Sequence, residues 1–267
     1  MTVLSPETLQ LDPSADVTHN ACALAYLARA AYFRDPLEKY PAVARAYSHI
    51  TQFERNRIRT LIVADDENVA VMFRGTDDNA DWAETMTFKQ IPWLTGKAHA
   101  GFVRSVESIW TDLLAGLFDA GFEGKKVWLA GHSLGGTLTV LASHRLHHEG
   151  FEPHAAFTYG TPRVFNADAA SSYTVPLHCF VNNEDPIPDI PWPLPFDSYV
   201  HAGKRYFLLQ SGAIAEPRHD PYLAKKIDRA HTIGEANTEL GALHDHRLIN
   251  YIEKLEKARR RAGDADG

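Results

Sequence analysis

A serine flanked by glycines lies between two apolar segments, and its surroundings are suited to chemistry. The serine is the centre of Gly131-His132-Ser133-Leu134-Gly135; residues 126–130 have the composition of a buried strand, and residues 136–143 that of a small-residue helix. A serine in such a tight turn exposes its hydroxyl at the strand end, where it can act as a nucleophile. The backbone N–H of Leu134, at the helix N-terminus, would then stabilise an oxyanion. The alternative is an ordinary serine in a glycine-rich loop.

A nucleophilic serine needs a histidine that takes its proton and a carboxylate that orients the histidine. Asp185 fits the carboxylate, because it follows the apolar segment 177–182 and precedes a proline. Its neighbour Glu184 is a second candidate, and a simple Asp-Pro turn is the structural alternative. His244 and His246 lie close to the C-terminus and both fit the histidine. Spacing alone does not choose between these two histidines.

A second oxyanion donor is expected in a loop after an early strand. Phe73-Arg74-Gly75-Thr76 follows an apolar segment and offers the backbone N–H of Thr76, together with its hydroxyl. The alternative is a turn that does no more than end the strand.

Strand-like and helix-like segments alternate along the chain, which predicts an α/β fold in one domain over residues 1–267. The order serine, acid, histidine is that of α/β-hydrolases, so we expect a mostly parallel central sheet with helices on both faces. Residues 1–17 are predicted to be a loose arm, and the residues after a terminal helix a frayed tail. Predicted strands are 59–64, 68–73, 155–160, 177–182 and 204–209, and predicted helices are 20–33, 101–120 and 243–260.

Charge and hydropathy exclude several classes of protein. The 267 residues carry a formal net charge of −7, which gives no support for nucleic-acid binding. No apolar run approaches the roughly 18 residues of a transmembrane helix. The first 20 residues lack Lys and Arg and carry acidic residues, whereas a signal peptide begins with positive charge. The expected location is therefore cytoplasmic, or secreted if the sequence has been trimmed.

Cysteines and histidines give no reason to expect a cofactor or a metal. Cys22 and Cys179 are the only cysteines, and buried free thiols are favoured over a disulfide between them. His144, His147 and His148 have the spacing of one helix face, which could hold zinc, but no carboxylate or cysteine partner is identifiable. A solvated helix face is the preferred interpretation.

Several motifs in a fixed order resemble the class 3 lipases, the α/β-hydrolase family typified by filamentous fungal triacylglycerol lipases. The resemblance implies a triad of Ser133, Asp185 and His246, with Thr76 and Leu134 as the oxyanion hole. It favours His246 over His244, because the family motif places a tyrosine five residues after its histidine, here Tyr251. The matching segments are 73–76, 81–88, 99–102, 131–136, 158–164, 183–188 and 246–251.

The resemblance also implies a lid helix over residues 77–88. This segment is largely acidic, and only Trp82 and Met86 are bulky and apolar. We therefore expect little gain from docking such a lid on a lipid surface. Two apolar segments, 91–94 with Trp93 and 190–196 with Trp192, could wall an acyl groove. The alternative is that both are packed loops.

Together these features predict a serine carboxylic-ester hydrolase that cleaves acylglycerols or related lipid esters, with transient contact to a lipid interface. An esterase for soluble esters, such as feruloyl esters, is the first alternative, and the polar lid segment supports it. The second is a catalytically idle hydrolase fold that binds a ligand.

Overall fold

A central sheet carries the predicted strands in a computed structural model that describes residues 4–75, 88–182, 185–191, 198–215 and 244–265. Within these residues the sheet has eight strands in the order β1-β2-β3-β6-β7-β8-β9-β10. The strands are β1 His49–Arg55, β2 Ile58–Ala64, β3 Asn68–Phe73, β6 Lys126–His132, β7 Pro153–Tyr159, β8 Leu177–Asn182, β9 Lys204–Leu208 and β10 Ile214–Ala215. A separate hairpin joins β4 Gln90–Trp93 to β5 Gly96–His99.

The middle of the sheet is parallel, as predicted. Strands β3, β6, β7, β8 and β9 run in one direction, and β1, β2 and β10 add antiparallel edges. Every residue of β2 and β3 is buried. Strands covered on both faces have near-continuous apolar sequences, and for this reason β2 and β3 could be predicted as strands from the sequence.

Helices cover both faces of the sheet, which confirms the predicted α/β-hydrolase architecture. Helices α1 and α7 pack on one face, and α4 and α5 on the other. The helices are α1 Val17–Ala30, α2 Pro36–Lys39, α3 Pro41–Ala46, α4 Ala100–Asp119, α5 Leu134–His148, α6 Ala167–Ser171 and α7 Leu248–Ala265, with 3₁₀ turns at Pro6–Leu9 and Ile187–Asp189.

The N-terminal arm is not loose over its described part, so this prediction is wrong for residues 4–17. Leu9 and Leu11 are buried in the core beneath α1. The hydroxyl of Tyr47 donates a hydrogen bond to the carbonyl of Leu9, at 2.6 Å. Two leucines in a short polar segment give no periodic signal, although burying each stabilises the fold by about 1.5–3 kcal/mol.

The terminal helix α7 is displaced from its predicted range of 243–260. It begins at Leu248, because a turn at residues 246–247 separates it from the helical residues 244 and 245. It continues to Ala265, five residues beyond the predicted end at residue 260. Arg and Ala, which are abundant at its end, are strong helix formers.

None of the described helices is both long and apolar enough to cross a membrane. The carboxyl ends of the parallel strands meet at one edge of the sheet, and this edge is where ligands bind in open α/β folds. Ser133 directly follows β6, Gly160 follows β7, and Asp185 lies three residues beyond β8. The topology therefore brings three loops of interest to one place.

Candidate active site

Ser133 occupies a strained turn between β6 and α5. Its φ of 57° and ψ of −126° lie outside the usual regions for a residue with a side chain. Its N–H donates to the carbonyl of Tyr159 at 2.9 Å, which fixes the turn to β7. A Cβ on Gly131 would meet the backbone of Gly135 well inside contact distance, so the turn needs glycine there. Strain of this kind persists only when the surrounding structure enforces it.

A chain of hydrogen bonds joins Ser133 to His246 and His246 to Asp185. The distance from Ser133 Oγ to His246 Nε2 is 2.9 Å, and that from His246 Nδ1 to Asp185 Oδ2 is 2.8 Å. All three residues are at most 1% exposed. Because an ionised carboxylate only accepts, Nδ1 of His246 carries the proton and Nε2 accepts from the serine hydroxyl. This tautomer leaves Nε2 ready to take the serine proton.

Asp185 is held ionised in spite of its burial. Burial by itself raises the pKa of a carboxyl, but interaction with His246 and three hydrogen bonds outweigh it and hold the pKa of Asp185 below its usual value. Oδ2 accepts from His246 and from the hydroxyl of Tyr251, and Oδ1 accepts from the N–H of Ile187 at 2.9 Å. The carboxylate is thus fixed from two sides.

Tyr251 lies on α7 and is itself held in place. Its hydroxyl accepts from the N–H of Asn182 at 3.1 Å while donating to Asp185. Burial and the negative charge of Asp185 raise the pKa of Tyr251 well above its usual value, so the tyrosine remains a donor. The sequence motif paired Tyr251 with His246, and in the structure their common partner is Asp185.

His132, the motif residue before Ser133, has no predicted role, yet it contacts the site directly. Its Nε2 lies 2.6 Å from the carbonyl oxygen of His246, and its Nδ1 lies 2.8 Å from the hydroxyl of Tyr32. Burial lowers the pKa of His132 to about 3, so the ring is neutral. Since a carbonyl only accepts, Nε2 carries the proton and Nδ1 accepts from Tyr32.

Gly160, also without a predicted role, makes room for the hydrogen-bonded chain. Its φ is +57°, and a Cβ there would lie 2.6 Å from Asp185 Oδ2 and 2.9 Å from His246 Nδ1. Any side chain would therefore push the carboxylate and the imidazole apart. A glycine after an apolar strand is the only sequence signal for this position.

The two histidines that spacing could not separate lie in different environments. His244 is exposed, and its Nδ1 and carbonyl oxygen accept hydrogen bonds from the amide of Asn250. His246 is the one within hydrogen-bond distance of Ser133. The competing carboxylate, Glu184, lies outside the described residues.

Of the two predicted oxyanion donors, Leu134 is described and Thr76 is not. Leu134 is the first residue of α5, and the first N–H groups of a helix have no partner within it. Its position directly after Ser133 allows the N–H to point at a substrate oxygen. Gly75 is the last described residue before Thr76.

Of the predicted lid and groove residues, Trp82, Met86 and Trp192 fall outside the described residues. Trp93 is described, and it is packed in the core. It is 6% exposed in the core between β4 and α5, and its Nε1 donates to Nδ1 of His144 at 3.3 Å. An indole buries a large apolar area when its N–H finds a partner, which favours the alternative of a packed segment for Trp93.

The same contact corrects the expectation of a solvated histidine face for His144, whereas His147 and His148 are exposed as expected. His144 is buried, and burial lowers its pKa to about 4. Among the described residues no group of His, Cys, Asp and Glu could hold a metal ion. Cys22 and Cys179 are both buried free thiols, which was the favoured interpretation.

Comparisons with known proteins cover the central part of the chain. The sequence model of the family Lipase (class 3) matches residues 70–194, a range that includes Ser133 and Asp185 and ends before His246. Secreted mono- and diacylglycerol lipase 1 of Fusarium solani is 29% identical over 150 residues, which are 53% of this chain and 44% of that protein. Secreted mono- and diacylglycerol lipase A of Penicillium cyclopium is 30% identical over 156 residues, 55% of this chain and 50% of that protein.

The match thus spans about half the length of these curated relatives. The fold has a wider match in the triacylglyceride lipase of Rhizomucor miehei, with a TM-score of 0.65 at 22% identity over 87% of this chain and 94% of that one. At that identity the likeness bears on the fold alone. Residues 70–194, which carry the strained serine turn and the carboxylate, are thus the part of this chain that is similar to the class 3 lipase family.

Proposed function

We propose that this protein is a serine hydrolase that cleaves carboxylic esters of lipids, with acylglycerols as its substrate class. The observation that carries the proposal is the buried, unbroken hydrogen-bond chain from Ser133 through His246 to Asp185. A serine hydroxyl is a weak nucleophile until an adjacent base can remove its proton. The neutral Nε2 of His246 is placed to do so.

The geometry supports a two-step acyl transfer. In the first step Ser133 Oγ attacks the ester carbonyl, His246 Nε2 takes the serine proton, and the N–H of Leu134 donates to the developing oxyanion. His246 then protonates the leaving alcohol, and a covalent acyl-serine remains. In the second step His246 removes a proton from water, which attacks the acyl-serine. His246 then returns this proton to Ser133 Oγ as the acyl–oxygen bond breaks and the carboxylic acid is released. Asp185 stays ionised and stabilises the imidazolium in both steps.

Lipid esters are supported as substrates by the names of the relatives, which are mono- and diacylglycerol lipases. One observation favours the second candidate, an esterase for soluble esters. Residues 77–84 carry four carboxylates and one large apolar side chain, a poor composition for docking on a lipid surface.

The test is labelling by a fluorophosphonate, followed by a series of p-nitrophenyl esters from acetate to palmitate. We expect stoichiometric labelling at Ser133 and hydrolysis that extends to the long-chain esters, measured below and above their solubility limits. Hydrolysis confined to short, dissolved esters would replace the lipase proposal by the soluble esterase. If Ser133 is not labelled, the remaining candidate is a catalytically idle hydrolase fold that binds a ligand.

Tyr251→Phe is expected to lower kcat on a soluble ester by about 10- to 100-fold, the equivalent of one hydrogen bond to a charged group. The loss should fall on kcat with KM unchanged, because the Tyr251 hydroxyl bonds Asp185. Steady-state kinetics on p-nitrophenyl butyrate measure both constants.

Tyr47→Phe is the matched control, since it removes another buried tyrosine hydroxyl, one bonded to the carbonyl of Leu9 instead. It should lose stability and keep its kcat. Equal kcat in the two variants would show that Tyr251 does not support Asp185.

The location that we propose for this protein also rests on the names of its relatives. Both are described as secreted, which gives the cytoplasmic expectation no support, so we propose that this protein acts after export. The test is whether the protein is found in the culture medium or in the extract of the cells that make it. The medium would support secretion, and the cell extract would support a cytoplasmic location.

A further inference from the structure

Arg163 is a largely buried cation whose role the proposed mechanism leaves open. It lies in the segment after β7, within the motif 158–164, and its side chain is 15% exposed. Burying a guanidinium costs free energy unless its donors are paired. The guanidinium of Arg163 therefore needs hydrogen-bond acceptors, and it lies close to the sheet edge that carries the site.

The partners of Arg163 are main-chain oxygens of one short segment. Its Nη1 donates to the carbonyl oxygens of Asp189 and of Pro191, the latter at 2.8 Å. Its own N–H donates to the carbonyl of Ile190 at 2.7 Å, and Nη2 lies 3.6 Å from the Asp189 carboxylate. Three consecutive carbonyls are thus bound by one residue of a neighbouring loop.

The bound segment is the one that begins at Asp185. From Asp185 the chain passes through the single 3₁₀ turn Ile187–Asp189, closed by the bond from Ile190 N–H to the Ile187 carbonyl at 3.1 Å. The first residue of that turn, Ile187, donates its N–H to Asp185 Oδ1. A shift of the turn would therefore move the carboxylate.

His201 binds the same turn from another part of the chain. Its Nε2 lies 2.7 Å from the carbonyl of Pro188, and burial lowers the pKa of His201 to about 3, so it binds as a neutral donor. Arg163 is thus the charged member of a pair of side chains that hold this turn by its carbonyls.

We propose that Arg163 is a positioning residue for Asp185, holding the turn 187–191 by its carbonyls so that the carboxylate stays within reach of His246. The inference rests on the proposed function. Small displacements of catalytic groups are costly, and about 1 Å can lower the rate 100-fold. Both side-chain bonds to these carbonyls come from Nη1, so the ammonium of a lysine, which also carries several N–H donors on one nitrogen, could keep part of the contact.

The experiment compares Arg163→Met and Arg163→Lys with a control, Arg145→Met. Arg145, on α5, is also partly buried, but it pairs with Glu149 and lies over the ring of Trp110 of α4. Kinetics on p-nitrophenyl butyrate are normalised to the sites labelled by a fluorophosphonate, so that unfolded protein does not count. Thermal unfolding is recorded for every variant.

We expect Arg163→Met to lower kcat about 10- to 100-fold per labelled site with KM unchanged, Arg163→Lys to recover part of the loss, and Arg145→Met to keep its kcat. A merely structural role would lower stability and the labelled fraction without changing kcat per site. Wild-type kcat in either folded Arg163 variant would overturn the inference, as would failure of both to fold when Arg145→Met folds. An unlabelled wild-type protein would instead overturn the proposed function.

Discussion

Ser133→Ala is expected to lower turnover of a soluble ester by about 10⁶-fold, because removal of the nucleophile abolishes the acyl-enzyme route. The fold should persist. The substitution keeps the Cβ, so the strain of the positive φ at this position is unchanged, and it removes a hydroxyl whose partner is His246. Release of p-nitrophenol from the butyrate ester measures the loss, and thermal unfolding measures the fold.

Ser143→Ala is the matched control, because Ser143 is another buried serine, on the helix α5 that follows Ser133. Its hydroxyl donates to the carbonyl of Thr139 at 2.7 Å and lies 2.5 Å from that of Tyr173, far along α5 from the strained turn. This variant should keep its activity and its labelling by a fluorophosphonate. A Ser133→Ala protein with even a tenth of the wild-type rate would exclude Ser133 as the nucleophile.

The strands could be predicted where the sheet is covered on both faces. Segment 177–182 coincides with β8, because a buried parallel strand is a continuous apolar run. Strand β1 was missed, since its residues are half-buried or exposed and include several polar ones. The β4–β5 hairpin was missed for a related reason: Pro92 interrupts one strand and Gly96 begins the other.

The site could be predicted only in its local part. The turn around Ser133 has a sequence signature because glycine spacing and backbone geometry are set within five residues. The partners depend on how distant segments pack, so spacing left His244 and His246 open until the resemblance was considered. His132 and Arg163 each contact residues that are distant along the chain, with separations between 26 and 114 positions. No periodic sequence pattern predicts such contacts.

His246→Ala is expected to be as damaging to turnover as Ser133→Ala, since members of such a triad act as a unit. His244→Ala, at an exposed position bonded to Asn250, should stay within a few fold of wild type. The same ester assay compares the two. Reversed phenotypes would make His244 the base and place the predicted histidine two residues out of register.

The stability of His246→Ala should also depend on pH in a way that isolates Asp185. In the wild type the lowered pKa of Asp185 contributes stability above the ordinary carboxyl pKa, and this is lost as pH falls through the folded-state value. Without His246 the largest remaining effect on the carboxyl is its burial, and we expect burial to raise the pKa of Asp185 above its usual value. The sign then reverses, because the folded state now binds the proton more tightly than the unfolded chain. The melting temperature of the variant, relative to wild type, should therefore fall as pH rises from about 4 to 7. A constant difference across this range would show that Tyr251 and the Ile187 N–H suffice to keep the carboxylate ionised.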